Sequence, residues 1–298
     1  MTGRDAISRP PDESADAAEP VVRYERRGRI AVVTMNRPKY RNAQNSVMTY
    51  ALDSAFERAV NDNDIRVIVL TGAGDHFSAG HDIGTPGRDV DVSYDRKAVI
   101  WWDHTDKAGA DARYAREMEV YLGMCRRWRE IPKPSIAMVH GACIAGGLML
   151  AWACDLIVAS SDAEFCDPVV TMGVCGVEWF VHPWELGPRK AKEFLFTADV
   201  WNAEEAHRLG MVNHVVPRPE LSSFVMALAQ RIAAKPSFAL KLTKEAVNRS
   251  VDVMGQPAAI DQAFALHQLC HAHNLQEFGM VVDPAGLHPS VRKPVQVK

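Results

Sequence analysis

The chain has 298 residues, 47% of them hydrophobic, with six cysteines and a formal charge of −3 at pH 7. That length supports one large core, or a core with a helical appendage, and the weakly acidic balance gives no electrostatic case for nucleic acid or a membrane surface as a partner. Cys125, Cys143, Cys154, Cys166, Cys175 and Cys270 form no C-x-x-C pair and stand among apolar residues, which points to free thiols in a reducing cytoplasm.

Residues 1–20 are polar, carry Asp12, Glu13, Asp16 and Glu19, and have no apolar centre. They read as a disordered tail, neither signal peptide nor anchor. Short β-branched runs follow at 21–24, 30–35, 67–70, 136–139 and 156–159. Between them, 45–61 has Val47, Met48, Leu52, Ala55, Phe56 and Ala59 at helical spacing, and 112–130 is a second helix stopped by Ile131-Pro132-Lys133-Pro134. Strands alternating with helices predict an α/β fold with a mostly parallel sheet. The stretch from 84 to 112, with Pro86, Gly87, Asp89, Asp91 and Trp101-Trp102-Asp103-His104, has no clear period; its tryptophans floor a pocket or pack a helix. From 188 the texture becomes helical (189–197, 203–209, 220–233 and 237–250), with a short strand at 212–216 and Asn202 as a cap ahead of Glu204 and Glu205. The longest apolar stretch, 142–154, falls short of the roughly 20 residues a membrane span needs.

The most informative segment is Val139-His140-Gly141-Ala142-Cys143-Ile144-Ala145-Gly146-Gly147-Leu148-Met149, where a glycine pair opens an apolar helix directly after a strand. Glycines there let the main chain approach a ligand, and the first helical amides suit an oxygen that develops negative charge. Close helix packing explains the same glycines equally well. A second strand runs into a glycine-containing turn at Gly72-Ala73-Gly74-Asp75-His76-Phe77-Ser78-Ala79-Gly80-His81-Asp82-Ile83.

Together with Asn36-Arg37-Pro38-Lys39-Tyr40-Arg41-Asn42-Ala43, these segments resemble the crotonase superfamily, the enoyl-CoA hydratase/isomerase family, over residues 21–244. The resemblance implies a ClpP/crotonase-like spiral of ββα units over 21–200 and a C-terminal helical region over 201–298. It also implies an acyl-CoA thioester as substrate, no cofactor beyond the coenzyme A that the substrate carries, and a homotrimer or dimer of trimers. By motif position, the backbone N–H groups of His81 and Gly146 would form an oxyanion hole that holds a thioester enolate. Coenzyme A would lie along Ala79 and the His81-Asp82-Ile83-Gly84 run, with Lys39 and Arg41 as candidates for its phosphates. The His81 imidazole would assist proton transfer, back up the site or face solvent.

At the two positions where hydratases of the family carry glutamates, this chain has Met149 and Val169, and neither can move a proton. The candidate replacement is Glu178, one residue beyond the position (Val177) where some relatives carry an aspartate. Val177, Trp179 and Phe180 around it would raise its pKa toward that of a working acid/base. Its other possible roles are to cap the next helix or to pair with Arg189. One carboxylate and an oxyanion hole suit double-bond isomerisation; hydration needs both activation of water and delivery of a proton. Thioester hydrolysis or C–C bond cleavage through Glu178 or His81, and a non-catalytic acyl-CoA-binding protein, are the alternatives.

His267, His271 and His273 share a helix-like segment, but with no third metal ligand marked they read as a solvated face or interface, and no metal is assigned. Gly72-Ala73-Gly74 lacks the rest of a dinucleotide fingerprint, no serine elbow appears, and nothing beside Cys175 would lower its pKa.

Overall fold

The computed structural model describes residues 19–83, 104 and 107–287. The expectations for residues 1–18 and for Gly84, Pro86, Gly87, Asp89, Asp91, Trp101, Trp102 and Asp103 lie outside that range.

The central sheet has six strands: β1 (Val22–Arg27), β2 (Ile30–Met35), β3 (Val67–Gly72), β4 (Ser135–Val139), β6 (Leu156–Ser160) and β9 (His214–Val216), adjacent in that order. Only β1 runs antiparallel to its neighbour; it closes a hairpin on β2, with Val22 opposite Met35 and Arg27 opposite Ile30. β2 and β3 are continuous apolar runs because both faces of a parallel sheet are covered. The period of two divides them cleanly. Ala31, Val33, Met35, Ile68 and Leu70 face one core, whereas Ile30, Val32, Val67 and Val69 face another, packed against Leu221, Val225, Leu228 and Ala229.

Helix α1 (Ser46–Asn61) lies on the first face, started by Asn45, whose side chain accepts the Met48 N–H at 2.9 Å. Of the residues the spacing selected, Met48, Leu52, Ala55, Phe56 and Ala59 face inward whereas Val47, in the first turn, is exposed, and Phe56 stacks on Trp128 at 4.5 Å. The expected 112–130 helix is interrupted. It consists of α2 (Gly109–Glu117), a π-helical turn at Met118–Leu122 and α3 (Gly123–Glu130). Such turns shift the register of the residues beyond them and concentrate at functional sites.

A second sheet, absent from the sequence reading, joins β5 (Ala142–Ile144), β7 (Glu164–Cys166) and β8 (Trp201–Asn202). Its strands have three residues or fewer and are too short to display a period. α4 (Gly146–Trp152) follows β5, and α5 (His182–Leu186) and α6 (Pro188–Thr197) follow β7. The sheets continue past residue 200, since β8 pairs with β7 and β9 with β6. α7 (Ala203–Arg208), α8 (Arg218–Ala233), α9 (Ser237–Val253) and α10 (Gln256–Phe278) complete the C-terminal helical region. Among the described residues no helix is long and apolar enough to cross a membrane.

Candidate active site

Beyond β3 the chain runs alongside β5, with Phe77 N–H bonded to His140 O at 2.8 Å, Ser78 N–H to Ala142 O at 3.0 Å and Ile144 N–H to Ser78 O at 3.0 Å. On its other side, Gln44 N–H bonds Gly80 O at 2.8 Å and Asp82 N–H bonds Gln44 O at 2.9 Å. Alternate groups of an extended segment point opposite ways, so His81 N–H is turned away from Gln44. Opposite it, Ala145 takes the unusual φ of 47° and ψ of −111° that turns β5 into α4 and leaves Gly146 N–H outside the ladder. Among the described residues, neither the His81 nor the Gly146 N–H donates a hydrogen bond. They are close neighbours: a Cβ on Gly146 would lie 3.2 Å from His81 N, and one on Gly80 would lie 3.0 Å from Gly146 N. The packing role weighed for the glycine pair is present at Gly147, because a Cβ there would sit 2.6 Å from Ser78 O and push α4 off its neighbour.

Glu178 is buried ahead of α5. Its Oε1 lies 3.7 Å from His81 Nδ1 and 3.8 Å from His267 Nε2. It neither caps α5, whose N-cap is Val181, nor pairs with Arg189. Asp167 fixes this segment from beneath: its Oδ2 accepts the Val177 N–H at 3.2 Å and lies 2.9 Å from Nε2 of the fully buried His182. Burial, reinforced by the charge of Glu117, pushes the Glu178 carboxyl well above the ordinary glutamate value. The His81 ring stacks on Tyr121 of the π turn with centroids 3.7 Å apart, and burial lowers its pKa to about 3. The imidazole is therefore neutral and turned into the site, which corrects the solvent-facing alternative.

The reading of the C-terminal histidines is also corrected. On α10 the buried residues Ile260, Phe264, His267, His271 and Asn274 recur at intervals of four and three, so His267 and His271 belong to the face against the core. His273 alone of the three is exposed. Glu117, the last residue of α2, faces both buried rings, with Oε1 3.5 Å from His271 Nε2 and Oε2 3.7 Å from His267 Nε2. The sequence reading missed Glu117 and Tyr121. They are four residues apart on one side of the rod, and the helix pattern gave no sign of what that side meets.

Of the residues assigned to coenzyme A, Lys39 and Arg41 are exposed at the 3-10 turn Pro38–Tyr40, and Arg41 O accepts the Ala79 N–H at 2.9 Å. This ties the basic turn to the segment that carries His81 but occupies Ala79's donor. Asp82 points inward to a buried ion pair with Arg37 at 2.9 Å, so its carboxylate holds the turn together. Ile83 is exposed. Met149 and Val169 are buried and bring no ionisable group. All six cysteines are unpaired, and burial pushes the Cys175 thiol up to about 12, away from any nucleophilic role.

Residues 25–282 match the model of the enoyl-CoA hydratase/isomerase family. The chain is similar to the putative enoyl-CoA hydratase EchA13 of Mycobacterium tuberculosis, 48% identical over 263 residues that cover 85% of this chain and 81% of that protein. It also resembles the crystal structure of a probable enoyl-CoA hydratase from Mycobacterium thermoresistibile, with 48% identity, a TM-score of 0.80 and coverage of 89% of this chain and 100% of that one. A monofunctional enoyl-CoA isomerase from Mycobacterium smegmatis matches at 28% identity and a TM-score of 0.62, over 78% of this chain and 95% of the other. With the crotonase-type sheet, the two unused amides and a buried acid beside them, the chain belongs to the enoyl-CoA hydratase/isomerase family.

Proposed function

We propose that this enzyme moves a proton beside the carbonyl of an acyl-CoA thioester, with double-bond isomerisation as its reaction. The His81 and Gly146 amides polarise the thioester oxygen. Removal of a proton from the allylic carbon gives a dienolate whose charge rests on that oxygen, where each donor contributes about 3–4 kcal/mol in the transition state. Glu178 accepts the proton as a carboxylate and returns it as an acid at the other end of the allylic system. Burial raises its proton affinity above that of an ordinary glutamate, the direction a group that must also act as an acid needs. The His81 ring, held neutral by burial, stands 3.7 Å from the carboxylate and adds no charge that would compete for its proton. The observation that carries this reading is the buried Glu178 carboxylate 3.7 Å from the ring of a residue whose own N–H is unused.

Hydration is the second reading, favoured by a second buried acid, Glu117, beyond His267. Incubation with 2-enoyl and 3-enoyl thioesters, followed by mass spectrometry, separates the two. Isomerisation interconverts the substrates without change of mass, whereas hydration adds one water to the 2-enoyl thioester. Release of free CoA thiol would instead indicate hydrolysis.

Lys39 and Arg41 meet the CoA phosphates, while the main chain from Ala79 through Ile83 to Gly84 cradles the rest; replacing both basic residues by alanine raises KM with little change in kcat. Exposed Phe238 and Leu242 on α9 supply apolar surface for a homotrimer or dimer of trimers, which light scattering on the purified protein would read directly. The unpaired thiols fit a cytoplasmic site of action.

A further inference from the structure

Glu117, His267 and His271 form a buried trio that the proton-transfer scheme does not use. His267 and His271 stand one turn apart on α10, so both rings reach the same carboxylate at the end of α2. One ligand-capable atom from each of the three lies within 4.8 Å of the others. The two gaps to Glu117, 3.5 Å from His271 and 3.7 Å from His267, exceed the roughly 2.7–3.2 Å of a hydrogen bond. They are close to the edge of about 3.4 Å expected between nitrogen and oxygen ligands placed tetrahedrally around zinc.

The outward hydrogen bonds fix what these rings present. Nδ1 of His267 lies 2.7 Å from Gly176 O, and Nδ1 of His271 lies 2.6 Å from Val281 O. A carbonyl oxygen only accepts, so each Nδ1 carries the hydrogen and Nε2 is the ring nitrogen each histidine turns inward, free to bind a cation. Two inward nitrogens and a carboxylate thus converge on one point, an arrangement that a cation among them would satisfy. His267 is 5% exposed and its Nε2 makes no hydrogen bond. Gln268, between the two histidines in sequence, donates through Nε2 to Glu117 Oε2 and is itself contacted by Arg113 at 3.4 Å. Backbone carbonyls behind the imidazoles and an amide behind the carboxylate are the supports that orient metal ligands.

We propose that Glu117, His267 and His271 bind a divalent transition-metal ion, zinc in the first place, beside the acid Glu178. Two imidazoles and one carboxylate are a zinc donor set with a fourth position left open, and they disfavour calcium and magnesium, which prefer oxygen ligands. The 3.8 Å between His267 Nε2 and Glu178 Oε1 brings the proposed ion near the acid/base carboxylate, and an ion bound there would favour the deprotonated form of Glu178, the form that accepts the proton.

The test is metal stoichiometry on the full chain, freed of metal with a chelator and titrated with Zn²⁺ by calorimetry and with Co²⁺ by visible absorption. The expected result is one ion per chain, with cobalt bands of a low-coordinate site. Glu117→Gln and His271→Ala each weaken zinc binding by more than about 100-fold and Gln268→Ala weakens it by about 10-fold, whereas His273→Ala, the exposed control on the same helix, leaves it unchanged. Uptake of less than one zinc by the unmodified chain overturns the proposal whatever the variants do, and so does binding that survives both ligand substitutions in folded protein. Because the readout is bound metal and not thioester turnover, failure here leaves the proton-transfer reading standing, and the converse holds.

Discussion

A Cβ placed on Gly146 would fall 2.5 Å from Cδ2 and 2.7 Å from Nε2 of His81. The His81 ring thus lies directly against Gly146, the residue proposed to share the oxyanion hole with it, and leaves no room for a side chain there. Gly146→Ala is expected to lower kcat/KM by about 10²–10³-fold, because His81 must shift and carry its N–H with it. In a His81→Ala background the same substitution costs less, since the ring contact is gone and only the 3.2 Å approach to the backbone nitrogen remains. Steady-state kinetics on the four proteins of this cycle measure that coupling; strict additivity would show that the ring does not position the hole.

Glu178→Gln keeps the shape of the side chain and removes its proton chemistry. The expected outcome is a fall in kcat of at least about 10²-fold, with acyl-CoA affinity by calorimetry nearly unchanged. Unchanged turnover would take Glu178 out of the mechanism.

The elements that positioned the site were legible where a pattern had room to show. Runs of four apolar residues that open β2 and β3, and the helical spacing of α1, announce themselves. The glycine pair by itself left close packing and an exposed amide equally open, and it was the motif resemblance that singled out the His81 and Gly146 N–H groups. β5, β7 and β8 are too short for a period, and the π turn at Met118–Leu122 has no residue signature. The histidine pair shows the limit of local reading: the spacing of His267 and His271 says that they share a face, not where the face looks. The stripe from Ile260 to Asn274 reveals its direction only if histidines are counted as core residues. Their partner Glu117 lies far earlier in the chain, where only the fold can bring it to α10.

Asp167 anchors the Glu178 segment through both Val177 and His182, all of them buried. Asp167→Ala leaves the Val177 N–H and a His182 nitrogen without their acceptor, and chemical denaturation is expected to show a loss of about 3 kcal/mol. Turnover of the folded fraction should fall as well, since the loop carrying the acid loses its anchor. A loss of stability below about 1 kcal/mol would show that water replaces the carboxylate at no cost.

His81 makes folding sensitive to acid. Its pKa is about 3 in the fold against 6.5 for an ordinary histidine, so between these values the unfolded chain binds the extra proton. Its contribution to stability is complete above pH 6.5 and is lost as pH falls toward 3. Glu178 acts in the opposite sense: its raised pKa favours the folded state below the ordinary glutamate value, an advantage lost as pH rises. His81→Gln removes the first effect and keeps the second. The drop in Tm between about pH 7 and pH 5 is therefore expected to be smaller in the variant than in the parent protein, whatever the offset from lost stacking on Tyr121. Parallel curves would mean that His81 already titrates normally in the fold.

Proton exchange reads the central claim most directly, because it requires the amide pair and the acid together and nothing else. A 3-enoyl-CoA incubated with the enzyme in D₂O should acquire deuterium at the carbon beside the thioester, which is also allylic, detected by mass spectrometry or NMR. Glu178→Gln should slow this exchange by at least about 10²-fold while still binding the thioester. Exchange at the parent rate in Glu178→Gln, or none in an unmodified enzyme shown to bind the thioester, would contradict the account.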